Sequence, residues 1–233
     1  MDDVTEPEIG ADTYTRWRAS TIGRITERVE MGVVFGLAGQ LAGKSVLDVG
    51  TGDGTYALEA AARGAIVTGI DLEPTMLAAA RTRANERRLS ASFETGRAEA
   101  LPFADGTFDV VLAVTVLCLV SDARSVVREM ARVLAPGGRL VIGELGRYSV
   151  WAAERRVRGW LGAQTWRHAR FWSRRALMGL VEGSGLHVAA VRGSIFFPPS
   201  GFAARVVSPF EPLLTRLHAP GAAFLVVAGD RLG

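Results

Sequence analysis

The amino-acid sequence predicts a doubly wound α/β fold, in which helices cover both faces of a mostly parallel sheet. Strand-like and helix-like segments alternate along the first two-thirds of the chain. The strand-like segments are almost continuously apolar, as strands buried on both faces are. A turn with three glycines directly follows the first of them. The 233 residues suffice for one domain with a buried core and covering segments.

The expected elements follow one another in a simple order. A helix is expected within 20–41, where apolar residues recur at helical spacing. Helices are also expected after a cap at Ser121 and after a cap at Ser173. Seven strands are expected, at 45–49, 66–70, 91–94, 108–114, 139–144, about 187–192 and about 222–228. The predicted Rossmann-like domain spans 44–233, and its expected coverings are the N-terminal lid 1–43 and the insertions 147–172 and 197–220.

Composition excludes several classes of protein. A single cysteine, Cys118, excludes an internal disulfide and a cysteine-based zinc site, and no metal is expected. No stretch reaches the roughly 18 apolar residues of a membrane-spanning helix. The N-terminal residues are acidic and polar, unlike a secretory signal. We therefore expect a cytoplasmic protein that is soluble or touches a membrane only peripherally.

The stretch VLDVGTGDGTYA (46–57) predicts a ligand site at the end of the first strand. Glycines let the backbone approach a ligand closely, and parallel sheets bind ligands beyond the carboxyl ends of their strands. The dinucleotide pattern G-x-G-x-x-G/A is not met, because Thr55 occupies its sixth place. Asp48 suits a positively charged ligand, and Asp71 can accept two hydrogen bonds from a ribose diol. These residues indicate a nucleoside with a cationic group and no diphosphate.

Four segments carry a family resemblance in the expected order: VLDVGTGDG, VTGIDLEPTML, GRAEALPFADGTFDVV and REMARVLAPGGRLVIGE. With them the sequence resembles class I S-adenosylmethionine-dependent methyltransferases. The small-molecule branch, typified by enzymes of ubiquinone and menaquinone biosynthesis, is the most similar. The resemblance runs from about 14 to 144 and more weakly to the end. It implies a seven-stranded Rossmann-like sheet whose last strand is antiparallel, and S-adenosyl-L-methionine as cofactor.

The resemblance also implies the methionine end of the cofactor site. Asp48, Gly50, Thr51 and Gly52 would pack against the methionine moiety. Asp71, at the end of the second strand, would hold the ribose.

The adenine end of the site is implied in the same way. Leu72 would flank the adenine, Ala98 and Glu99 would lie along its edge, and Val114 and Thr115 would close the site from the fourth strand.

Two positions depart from the family pattern. Arg97 stands where the family usually has an acidic residue, which puts the contact to the adenine amino group in doubt. A backbone carbonyl or Glu99 could replace that contact. Asp53 lies in GTGDG where GCGTG is common, and an acid there suits a helix N-terminus.

Candidates for the chemistry on the acceptor side are few. Methyl transfer needs the acceptor held in line, and a general base only where the acceptor is a weak nucleophile. Tyr14 and Trp17, in YTRW, either form a lid near the sulfonium or pin the first helix to the sheet. Glu144 either faces the acceptor or caps the turn after the fifth strand. His168 is either a base in the lid or a surface histidine.

The segment RYSVWAAERRVRGWLGAQTWRHARFW is basic and rich in tryptophan. Three interpretations are open. The segment forms a lid whose tryptophans, Trp151 and Trp166 among them, line an apolar acceptor pocket; it rests on an anionic membrane surface; or it binds a nucleic acid. We favour the lid.

The function that the sequence predicts is methyl transfer to a small, apolar or aromatic acceptor. The main alternative is a lipid or quinone methyltransferase at the membrane surface. A nucleic-acid methyltransferase is disfavoured, because VTVL (114–117) replaces the N/D-P-P-Y/F-like turn of base-amine enzymes. A non-catalytic cofactor-binding protein is supported only by Arg97. The oligomeric state stays open.

Overall fold

A computed structural model describes residue 17 and residues 19–232, and it confirms the doubly wound sheet. The strand order is β3-β2-β1-β4-β5-β7-β6. All neighbours are parallel except β7, which runs antiparallel to β5 and β6, as predicted for the last strand. The strands are β1 (Ser45–Val49), β2 (Ile66–Asp71), β3 (Ser92–Thr95), β4 (Phe108–Val114), β5 (Leu134–Leu145), β6 (His187–Ser194) and β7 (Phe224–Asp230).

Helices connect the strands and form the coverings. Ser20 and Ser173 cap α1 and α7, because each side-chain oxygen accepts a hydrogen bond from a backbone N–H three residues on. The cap of α4 is Asp122 rather than the predicted Ser121. The helices are α1 (Thr21–Ala38), α2 (Thr55–Ala62), α3 (Pro74–Arg87), α4 (Ala123–Val133), α5 (Val150–Trp160), α6 (Gln164–His168), α7 (Arg174–Glu182), α8 (Gly201–Val207) and α9 (Glu211–Arg216).

β5 starts earlier than predicted. The sequence Pro136-Gly137-Gly138 predicts a turn before the strand, yet these residues lie within β5. Leu134 pairs with Phe108 of β4, and the register then shifts before Arg139 pairs with Val110. The irregularity accommodates the proline and glycines inside the strand.

Side chains of each central strand alternate between two hydrophobic cores. Val46 of β1 packs with α1, α2 and α3 on one face, whereas Leu47 and Val49 pack with α4 and α7 on the other. Both faces are therefore buried, which explains the continuous apolar character of the strands. Within the described residues, none of the helices is both long and apolar enough to traverse a bilayer.

An ion pair fastens α1 to the far end of the chain. The Arg139 guanidinium binds the Asp230 carboxylate through two contacts, of 2.7 and 2.9 Å. Its third nitrogen donates to the carbonyl of Leu37, near the end of α1, at 3.0 Å. Two-point binding of this kind fixes geometry as well as charge. α1 also packs on β5, β6 and β7.

A buried carboxylate holds the insertion 197–220 against the sheet. Glu211, the first residue of α9, is 3% exposed. Its two carboxylate oxygens accept hydrogen bonds from the backbone N–H groups of Ile195 (2.9 Å) and Phe196 (2.7 Å). These two groups follow β6 directly, so one side chain determines where the chain leaves the sheet.

Glu211→Ala is expected to lower the free energy of unfolding by about 1–3 kcal/mol, because it leaves two N–H groups without their acceptor. Urea denaturation measures the change. Glu182→Ala, at an exposed position of α7, serves as the matched control and is expected to stay within about 0.5 kcal/mol of the wild type. Equal effects of the two substitutions would contradict this role of Glu211.

Candidate functional site

The glycine turn is tied to β2 by its backbone. The N–H groups of Gly50 and Thr51 both donate to the carbonyl of Ile70, at 2.8 and 3.0 Å. Gly50 has φ +66°, and a Cβ there would come within 2.4 Å of the Val116 side chain. At Gly52, by contrast, a Cβ would meet only the end of the Met76 side chain, at 3.7 Å. The turn is thus closely packed at its start and has room at its middle glycine.

Asp48 lies beneath the turn and holds it to α2. Its Oδ2 accepts hydrogen bonds from Thr51 Oγ1 (2.7 Å) and from the backbone N–H of Ala57 (3.0 Å). Burial raises the pKa of Asp48 to about 7, although these two hydrogen bonds lower it. A carboxyl held in this state gains from a nearby positive charge, which favours its ionised form.

Asp71 fixes the other side of the turn. Its Oδ2 accepts from the Gly52 N–H at 2.7 Å, and its Oδ1 accepts from the Glu73 N–H at 3.0 Å. An ionised carboxylate can accept about four hydrogen bonds, so each oxygen retains acceptor capacity. Leu72, the next residue, is 53% exposed and lies at the same edge. The Asp71 carboxylate suits a ribose diol, and the exposed Leu72 side chain suits a flat ring beside it.

The turn after β3 contains the position that departs from the family. The Arg97 Nε lies 3.7 Å from the Glu99 carboxylate, and Arg97 and Ala100 form an isolated bridge. Ala98 and Glu99 are half-buried. The positive charge of Arg97 is therefore balanced locally, and its side chain is largely exposed.

β4 ends in a strained residue. Thr115 has φ +56°, a left-handed conformation that a β-branched residue rarely adopts. Its N–H donates to the carbonyl of Gly143 at 2.8 Å and its hydroxyl to the carbonyl of Val114 at 2.7 Å. Such strain costs on the order of 1–3 kcal/mol and clusters at functional sites. Val114 itself is buried.

Glu144 is buried, whereas the interpretation that it faces the acceptor expects an accessible side chain. It is 0% exposed, and its Oε1 accepts a hydrogen bond from the Leu117 N–H at 2.5 Å. Its Oε2 has no hydrogen-bond partner within the described residues. Cys118 is buried nearby, and both burial and the Glu144 charge raise the pKa of its thiol. Glu144 thus braces the turn after β4 from below.

The basic segment folds as α5 and α6, and its tryptophans differ in placement. Trp151 is buried, and its Nε1 donates to the carbonyl of Phe197 at 2.8 Å. The Arg155 guanidinium lies over the rings of both Trp151 (5.1 Å) and Trp166 (4.7 Å). Trp160 is 91% exposed. The predicted lid tryptophans therefore bracket a cation.

The remaining candidates on the acceptor side are Trp17, His168 and Tyr14. Trp17 is half-buried and packs against the core on the α1 face. His168 ends α6 with an exposed side chain. Tyr14 falls outside the described residues. No three histidine, cysteine, aspartate or glutamate side chains in the described part of the chain are grouped to hold a metal ion.

Two residues that sequence reasoning missed lie with Arg155. Tyr56, in the first turn of α2, donates its hydroxyl to Glu30 Oε2 at 3.4 Å. Glu30 and Arg155 interact electrostatically. A helical pattern could have found Glu30, because it follows Thr26 and precedes Val34 at four-residue spacing along the buried stripe of α1. An acid on such a stripe is unusual unless it is paired.

Comparison with known proteins agrees with this geometry. A family described as "Methyltransferase domain" matches residues 47–142. A ubiquinone biosynthesis O-methyltransferase of Idiomarina loihiensis is 34% identical over 181 residues, which cover 75% of this chain and 74% of that protein. A demethylmenaquinone methyltransferase of Thermus thermophilus is 46% identical over 110 residues, which cover 46% of this chain and 50% of that protein. The chain thus spans about half the length of the latter.

A solved structure extends the likeness to the whole fold. It is an S-adenosylmethionine-dependent methyltransferase of Thermotoga maritima, described as a possible histamine N-methyltransferase. The two chains superpose with a TM-score of 0.72 at 25% sequence identity. The superposition covers 94% of this chain and 95% of the Thermotoga maritima chain. The strand order of the sheet, the matched family and the relatives agree. The chain belongs to the class I S-adenosylmethionine-dependent methyltransferases.

Proposed function

We propose that this methyltransferase acts on a small apolar or aromatic acceptor by in-line displacement. The observation that supports this most is the arrangement at the carboxyl edge of the sheet. A glycine turn, held by Asp48 and Asp71, lies on the same edge as the strained Thr115. The tryptophan-rich segment of α5 and α6 serves as a lid. Its Arg155 lies over the Trp151 ring and interacts electrostatically with Glu30 of α1.

The cofactor supplies an electrophilic methyl group, and the chain's own residues hold it. We assign Asp71 to the ribose diol and Leu72 to the adenine face. Gly50, Thr51 and Gly52 line the methionine end.

The other residues that we assign to the cofactor lie at the ends of the strands or beneath the glycine turn. Ala98 and Glu99 lie along the adenine edge, and Val114 and Thr115 close the site at the end of β4. Asp48 acts from beneath, because its carboxylate maintains the turn and its charge favours a cationic ligand.

The tryptophans of the segment that forms α5 and α6 support an aromatic or apolar acceptor. The relatives named for quinone biosynthesis support a small acceptor of this kind. The sequence argument against a nucleic-acid acceptor stands, since no base-amine turn follows β4. The single cysteine, Cys118, fits a reducing cytoplasm, which we propose as the location.

A membrane-surface enzyme is the second candidate, and one patch supports it. Trp160 and Leu161, at the end of α5, are 91% and 80% exposed, next to the exposed Arg158. Tryptophan and arginine side by side suit the interface of an anionic bilayer. Such a surface would give the acceptor site access to a lipid or quinone.

Asp71→Ala is expected to weaken the binding of S-adenosylmethionine by about 1–3 kcal/mol, roughly 5- to 150-fold, because the diol loses its acceptor. Isothermal titration calorimetry measures the affinity. Glu73→Ala provides the control, since only its backbone N–H takes part in the turn. Unchanged affinity in Asp71→Ala would remove this residue from the site.

Flotation with vesicles tests the membrane candidate. If it is correct, wild-type protein floats with vesicles of anionic phospholipid, and Trp160→Ala with Leu161→Ala abolishes flotation. Phe202→Ala, at another exposed aromatic position, is the control and leaves flotation unchanged. Wild-type protein that stays at the bottom of the gradient would eliminate the candidate.

Glu144→Gln is expected to reduce the pH dependence of stability. Burial raises the pKa of Glu144 to about 8, from 4.5 in the unfolded chain. The native state therefore binds more protons than the unfolded state between these values, and the free energy of unfolding falls as the pH rises. Glutamine keeps an acceptor for the Leu117 N–H but does not titrate.

Urea denaturation at pH 5.5 and 7.5 measures this difference. The wild type is expected to lose more stability than Glu144→Gln between the two pH values. Glu86→Gln, at an exposed position, is expected to follow the wild type. Identical losses in wild type and Glu144→Gln would show that Glu144 does not titrate as its burial requires.

A further inference from the structure

Three polar side chains from distant parts of the chain lie together in one cluster. Glu30 comes from α1, Tyr56 from the first turn of α2, and Arg155 from α5. The Tyr56 hydroxyl lies 3.4 Å from Glu30 Oε2. Glu30 and Arg155 are both half-buried, and Tyr56 is buried.

The surroundings of Glu30 poise its carboxyl near neutrality. Burial raises its pKa, and the neighbouring charge of Glu27 on the same helix raises it further. The positive charge of Arg155 and the hydrogen bond from Tyr56 lower it. The balance raises the pKa of Glu30 to about 7. A carboxyl group of this kind can both take and release a proton near neutral pH.

The position of Arg155 is fixed by aromatic contacts. Its guanidinium lies over Trp151 and Trp166, and Trp151 is itself held by the carbonyl of Phe197. Arg155 retains its positive charge at all ordinary pH values, although burial lowers its pKa. A fixed, partly buried cation attracts a developing anion and repels another cation.

The cluster includes the first turn of α2, which directly follows the cofactor turn. Tyr56 is two residues beyond Gly54, in the turn of helix that Asp48 holds through the Ala57 N–H. On the other side, the charge of Arg155 is felt by Cys118, whose thiol donates to the carbonyl of Thr115 at 3.3 Å. The three groups therefore lie over the carboxyl ends of β1 and β4.

We propose that Glu30 accepts the proton of the methyl acceptor and that Arg155 selects an aromatic hydroxyl over an ammonium group. This inference rests on the proposed function. The hydroxyl proton passes to a Glu30 carboxylate oxygen, and an electron pair of the hydroxyl oxygen forms the bond to the methyl carbon. The pair of the breaking carbon–sulfur bond stays on sulfur, and S-adenosylhomocysteine leaves. Glu30 then returns its proton to water.

Glu30→Gln tests the first half of the proposal. The probe is a panel of catechols, naphthols, amines and thiols with S-adenosylmethionine labelled in its methyl group, and kcat is measured on the aromatic hydroxyls. General-base catalysis contributes about 10²- to 10⁴-fold, so kcat is expected to fall by about that factor while cofactor affinity stays within twofold. In the wild type, kcat rises with pH through an inflection near 7, and this inflection is expected to vanish in Glu30→Gln. Glu86→Gln is the matched control and retains the wild-type profile.

A second readout does not depend on turnover. In protein labelled with ¹³C at glutamate side chains, one carboxyl resonance is expected to titrate near pH 7 and to be missing from Glu30→Gln. Glu30→Asp keeps a carboxylate and is expected to recover part of kcat with its pH inflection. If Glu30→Gln methylates phenols at the wild-type rate, or keeps the inflection, the assignment of Glu30 is overturned.

Arg155→Met tests the second half. Removal of the cation is expected to move the inflection of the pH profile to higher pH, because Arg155 lowers the pKa of Glu30. It is also expected to narrow the preference for phenols over amines in the same panel. A wild-type enzyme that methylates only amines or thiols would overturn the proposal and leave methyl transfer intact. Failure of the wild type to bind S-adenosylmethionine would instead contradict the proposed function.

Discussion

Two carboxylates at the ends of adjacent strands determine the shape of the site. Asp48 holds the glycine turn to α2 from below, and Asp71 holds it to β2 from the side. Both bind backbone N–H groups, which a chain with three glycines in five residues leaves mobile unless they are paired. The close approach of Gly50 to Val116 and the direction of α2, which presents Tyr56, depend on this pairing.

The sequence alone predicts the sheet and the cofactor turn because both depend on local patterns. Continuous apolar runs produce strands buried on both faces, and the spacing of Gly50, Gly52 and Gly54 specifies the turn. Only the boundaries differ, as where Asp122 rather than Ser121 caps α4 and where β5 runs through Pro136. Asp122 caps the helix through local hydrogen bonds to the N–H groups of Arg124 and Ser125, whereas β5 is extended by its pairing with β4.

The acceptor side could not be predicted in the same way, because side-chain direction there depends on distant contacts. Glu144 turns inward because the left-handed Thr115 presents the Leu117 N–H to it. The cluster of Glu30, Tyr56 and Arg155 brings together three distant positions, and no local pattern relates them. Trp151 and Trp166 are aromatic as a lid requires, yet their partner is Arg155, which only the fold reveals.

The ion pair of Arg139 with Asp230 connects the end of α1 to the last strand that is synthesised. α1 leaves the ribosome early, but the surface that it packs on includes β7, the last strand to be made. The cofactor turn needs only β1, β2 and β4, which are complete about a hundred residues earlier. A nascent chain can therefore form the glycine turn after β1 before α1 has the complete sheet to pack on.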